Sequence, residues 1–65
     1  MNTELLNDLV EECNAALQVS IPEGREAINA TARMIEGVAS VFLRHDKSFN
    51  RNDFLKKIFF PLTNS

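Results

Sequence analysis

The sequence predicts an all-α fold: a helical hairpin of two long helices, over about residues 4–19 and 22–44, with a short C-terminal helix over about 51–60. Two observations predict it. Apolar residues recur at helical spacing through each of the three stretches. Pro22 and Pro61 fall only at their borders, where proline starts or stops a helix. Two glycines and two prolines in 65 residues also exclude low-complexity sequence.

In the first helix Thr3 suits the N-cap, and Glu4 sits in the first turn, where a negative charge complements the helix dipole. Leu5, Ala16, Leu9, Cys13, Leu6, Leu17 and Val10 then occupy only about 140° of the helical wheel, so this helix packs on one side. It is expected to end near Val19. Ser20-Ile21-Pro22-Glu23 has the spacing of a capping box, with proline at a position suited to the first turn of the second helix.

The second helix carries the widest apolar arc. Ala30, Val41, Met34, Ala27, Val38, Thr31, Phe42, Ile35, Ile28, Ala39, Ala32 and Leu43 fill roughly 220° at about 100° per residue. Gly37 lies at the edge of the polar arc, beside Ala30. The third helix has the clearest start. Asn50 as N-cap, Asp53 at the third position, and Phe49 with Phe54 as a hydrophobic staple mark it. Phe54, Leu55, Ile58 and Phe59 supply its apolar side, Pro61 is expected to stop it near Phe60, and residues 61–65 are expected to fray.

Residues 1–65 read as a single domain, and a small one. Below about 70 residues one hydrophobic core supplies only a few kcal/mol, so such chains are reinforced by disulfides, metals or association. A lone cysteine, Cys13, and a lone histidine, His45, remove the first two routes within one chain. The surplus arc of the second helix therefore predicts a protein partner: a second copy, giving a helical-bundle homodimer, or another protein.

Composition narrows the function classes. The N-terminus MNTELLNDLVEE has acids where a secretory signal carries bases, and no apolar run approaches the roughly 20 residues that cross a bilayer. A cytoplasmic protein without a membrane span is expected. Net charge −2, the absence of tyrosine and tryptophan, and the lack of a glycine-rich motif argue against a nucleic-acid partner. No nucleophile has a base and an orienting group at a readable spacing, so no catalytic, cofactor or metal residue is assigned and the chain reads as a non-enzyme. Cys13 lies mid-arc in the first helix, a packing position.

Charge is unevenly placed. Residues 1–32 carry six acids against the single base Arg25, whereas residues 33–65 carry six bases against three acids. Glu4, Asp8, Glu11 and Glu12 share an arc of about 100° on the first helix. Such a stripe can steer a basic partner. The candidate partner-binding residues are these four acids, the surplus edge Ala30, Met34, Gly37 and Val41 of the second helix, and Phe59 and Phe60 as aromatic anchors.

The stretch Ser48-Phe49-Asn50-Arg51-Asn52-Asp53-Phe54-Leu55, preceded by a helix, resembles the C-terminal part of many short, uncharacterised bacteriophage and prophage proteins. The resemblance covers about residues 32–58. Lys56-Lys57-Ile58-Phe59-Phe60-Pro61 departs from the short tail of those proteins. What the resemblance implies is a setting, a phage-encoded protein in the bacterial host cytoplasm, and no site residues. The expected function is a small non-enzymatic protein-binding module, most concretely a phage-type inhibitor or modulator of a host protein. The alternative is a homodimeric four-helix-bundle protein with a structural or regulatory role.

Overall fold

Asn2 opens the first helix. In the computed structural model, which describes the backbone of residues 2–63 and the side chains of residues 2–61, helix α1 spans Thr3–Ser20. The N-cap is Asn2 rather than the expected Thr3. The Asn2 Oδ1 accepts from the backbone N–H groups of Glu4 at 2.7 Å and Leu5 at 3.2 Å. Both residues have a short polar side chain that can cap. Asn2 is the one with extended backbone just outside the helix, so its oxygen meets the orphan donors.

The connection to the second helix also differs from the expected capping box. Ser20 remains in α-helical backbone, and its buried hydroxyl donates to the Leu17 carbonyl at 2.5 Å, so it serves α1 and caps nothing downstream. Pro22 lies in a single 3-10 turn over Ile21–Glu23, and helix α2 begins after Gly24, over Arg25–His45. Gly24 has φ 108° and ψ 175°, a region that glycine alone enters readily. A Cβ there would meet nothing within 4 Å. The strain of replacing it is therefore purely in the backbone. Gly24→Ala is expected to lower stability by about 1 to 2 kcal/mol in urea unfolding, with helix content unchanged.

Helix α2 ends with the Asp46 N–H bonded to the Phe42 carbonyl at 2.9 Å. Asp46 then folds the link: its Oδ1 accepts from the Ser48 hydroxyl at 2.6 Å and from the Ser48 N–H at 3.0 Å. The Ser48 hydroxyl bond is the largest of several interactions that hold the Asp46 carboxyl down to about 2, below the ordinary aspartate value. Asn50 caps helix α3, Arg51–Thr63, as its spacing predicts, with Oδ1 accepting from the Asp53 N–H at 3.0 Å. The Asp53 carboxylate also pairs with Lys57 at 3.1 Å, one turn on.

Helix α3 runs on through Pro61 to Thr63, beyond the expected stop at Phe60. The turns up to Phe60 are closed by donors that precede the proline, so its missing N–H removes one bond from the last turn only. Of the expected frayed tail, residues 61–63 are thus helical, and Asn64 and Ser65 lie outside the described residues.

The three helices pack with every pair in contact, so α2 shares the centre rather than holding it alone. At about 1.5 Å per residue, α1 and α2 are each roughly 30 Å long. A longest dimension of 34 Å requires them to lie side by side. Leu17 from α1, Ile35 and Ala39 from α2, Phe49 from the link, and Phe54 and Ile58 from α3 form the buried core. Leu6, Leu9, Val10, Cys13, Ile28, Phe42, Leu43, Leu55 and Phe59 surround it.

Two polar contacts fix where α3 lies. The Asn14 Nδ2 donates to the Ile58 carbonyl at 2.9 Å, and the Gln18 Nε2 steadies Asn14 by donating to its Oδ1. On α2, the Ser40 Oγ accepts from the Arg51 Nε at 3.3 Å. Asn14 and Ser40 thus mark the edges of α1 and α2 that α3 covers.

Candidate protein-binding face

The other edges of α1 and α2 are where apolar side chains remain exposed. On α2, Met34 is 72% exposed and Val41 41%, and Ala30 and Gly37 on the same stripe are exposed too. These four are the surplus edge expected from the width of the apolar arc. A Cβ added at Gly37 would meet nothing within 4 Å, so no close helix contact within the chain requires a glycine there.

Helix α1 contributes a matching half that the apolar pattern does not mark. Leu5 is 52% exposed and Val19 67%, and Ala16 is exposed beside them. Membership of the apolar arc of α1 predicts that Leu5 and Ala16 are covered. The correction comes from Asn14: by turning inward to reach the Ile58 carbonyl, it brings one polar edge of α1 against α3 and leaves the Leu5–Ala16 edge outside.

The two halves meet in a groove. Glu12, Cys13 and Ala16 line it from α1, and Thr31, Met34, Ile35 and Val38 from α2, around an open volume of about 190 Å³. Lining residues from both helices make this a true inter-helix cleft, and Glu12 is its one charged member. Cys13 is half-buried at its floor. Burial first, and the neighbouring Glu12 charge second, push its thiol above the ordinary value, which suits packing rather than thiolate chemistry.

A larger hollow, about 400 Å³, lies against Lys56, Lys57, Phe60 and Pro61. All four belong to the outer flank of α3, so among the described residues it is lined by one element alone. Phe60 is exposed there, whereas Phe59 is half-buried and packs against the core. The structure therefore divides the ten predicted partner-binding residues. Glu4, Asp8, Glu11 and Glu12 on α1 and Ala30, Met34, Gly37 and Val41 on α2 are all exposed about the α1–α2 face. Phe59 and Phe60 belong to α3 and do not join that face.

Among the described residues no group of three or more His, Cys, Asp or Glu side chains could hold a metal ion. No described helix is long and apolar enough to cross a membrane. In comparisons with known proteins, no family model, curated protein or solved structure matches the chain.

Proposed function

We propose that the chain is a small non-enzymatic protein-binding module whose working surface is the α1–α2 face away from α3. One observation carries this reading: Ala16 of α1 and Met34 of α2 line an apolar inter-helix groove, and Leu5, Val19, Ala30 and Val41 of the same two helices are exposed. Single exposed apolar residues are ordinary, but a contiguous apolar face marks a surface that works by being covered. Glu4, Asp8, Glu11 and Glu12 along its edge would orient a partner and speed its encounter more than they would add affinity.

Most concretely, the module is a phage-type inhibitor or modulator of a host protein, the setting implied by the resemblance over Ser48–Leu55. The test is a double substitution, Val19→Asp with Met34→Asp, placed where both side chains are largely outside the chain's own core. The variant is expected to keep its helical circular dichroism and to lose at least tenfold in association with protein partners, its own copies included, as when central contacts of an interface are removed. Unchanged association in a folded variant would overturn the assignment of this face.

A further inference from the structure

The charges along the two long edges of this face have opposite signs. Glu4, Asp8 and Glu11 follow the outer edge of α1, and Glu12 stands within the groove. Arg33 and Arg44 follow the outer edge of α2, about 80° to 100° around the helix from Met34. Glu26 shares the α2 edge but lies near the connector, at the end remote from the acids of α1. Among the described residues none of Glu4, Asp8, Glu11, Arg33 and Arg44 has a salt-bridge partner, the Asp53–Lys57 pair lying on α3.

The groove also sets the level of each charge. Since Glu12, Cys13 and Ala16 face Thr31, Met34, Ile35 and Val38, residue 13 stands level with residues 34 and 35. Counting about 1.5 Å per residue in opposite directions along the antiparallel pair, Glu4 lies level with Arg44, and Glu11 within about 5 Å of the level of Arg33.

Two isologous ways exist to lay one such face on another. A two-fold axis across the helices sets α1 on α1, acids against acids and arginines against arginines. A two-fold axis parallel to the helices keeps every level and sets α1 on the α2 of the other copy. Only the second arrangement brings the charges of the outer edges together with opposite signs, while Glu12, within the groove, is set level with its own symmetry mate and opposes the apolar attraction there.

We infer that the α1–α2 face is covered by a second copy of this chain, related by a two-fold axis parallel to the helices, with Glu4 and Glu11 of each copy beside the partner's Arg44 and the partner's Arg33. The inference rests on the reading of this face as a protein-binding surface and takes a second copy, in place of a host protein, as its occupant. Area is compatible: with extents of 34 × 19 × 17 Å, two long faces would together bury roughly 1,200 Å², the lower bound for a specific stable interface. Edge charges of this kind select partner and orientation, as the flanking positions of coiled coils do, while the apolar strip supplies the attraction.

The test is sedimentation equilibrium from about 1 to 100 μM in low salt, where edge charges are least screened. Four chains are compared: the natural one, E4K/E11K, R33E/R44E, and the chain with all four changes. The natural chain is expected to dimerise, each half-swapped chain to dimerise at least tenfold more weakly, and the fully swapped chain to recover. The two half-swapped chains, mixed, should pair with each other. All the positions are exposed, and circular dichroism confirms the fold of each variant.

A natural chain that stays monomeric throughout would overturn the inference, as would half-swapped chains that dimerise like the natural one, since α1-on-α1 packing predicts that result. Failure of the broader reading looks different. A monomer whose capture of another protein is abolished by V19D/M34D loses the dimer but keeps the face; a dimer indifferent to V19D/M34D loses the face itself.

Discussion

Replacing Phe54 by alanine is expected to remove about 3 to 5 kcal/mol of stability, a substantial part of what a chain this short possesses. Phe54 is 1% exposed, and its ring stands 5.3 Å from that of Phe49 and 6.3 Å from that of Phe42, the latter edge-on. Phe42 and Phe49 are themselves 5.6 Å apart, so the three rings close one end of the bundle. They come from α2, from the link and from α3. Deleting the middle one leaves a cavity that the other two, anchored on different elements, cannot both move to fill. Urea unfolding followed by circular dichroism checks this: the midpoint should fall towards zero denaturant. A loss below about 1 kcal/mol would show that the cluster collapses freely around the gap.

The second large effect is expected from adding bulk rather than removing it. Ala39 is 0% exposed and belongs to the buried cluster with Leu17, Ile35 and Ile58, which come from all three helices. Ala39→Leu adds three carbons where no outward path exists, and is expected to destabilise the chain by about 2 to 3 kcal/mol through displaced helices. The direction is informative because leucine has the better burial energy and a helix propensity close to that of alanine. If the variant were as stable as the natural chain, the interior beside Ala39 would have unfilled space. Thermal unfolding at matched protein concentration measures it, concentration being fixed because any association would add to stability.

The elements of the fold were legible where the signal is local. Asn50 and Asp53 with Phe49 and Phe54 form a start site whose parts all lie within six residues: the Asn50 side chain caps the Asp53 N–H and the Phe49 and Phe54 rings meet, while the Asp53 carboxylate pairs with Lys57 in place of closing the capping box. The surplus edge of α2 was legible for a related reason: Met34 and Val41 lie outside any arc that two neighbours can cover. What was hidden depended on competition. Ser20-Ile21-Pro22-Glu23 has the residues of a capping box, but the Ser20 hydroxyl has a nearer carbonyl in its own helix, and the chain reverses at Gly24 instead.

The α1 half of the face was hidden because its cause is remote. Nothing near Asn14 says that its amide will reach the carbonyl of Ile58, a residue 44 positions away, and that contact decides which edge of α1 is covered. Periodicity gives the width of an apolar arc. It does not give the rotation of the arc when a polar side chain finds a partner inside.

The brevity of the connectors has a kinetic consequence. One turn and a glycine join α1 to α2, and five residues, 46–50, join α2 to α3, so helices adjacent in sequence meet after closing short loops. Only the seam between α1 and α3 requires distant parts of the chain to find each other, and by then α2 already holds both within reach. A topology of this kind belongs among the fast folders, with relaxation in about microseconds to milliseconds. Partly assembled chains, with the rings of Phe49 and Phe54 uncovered, are correspondingly short-lived and have little time to aggregate.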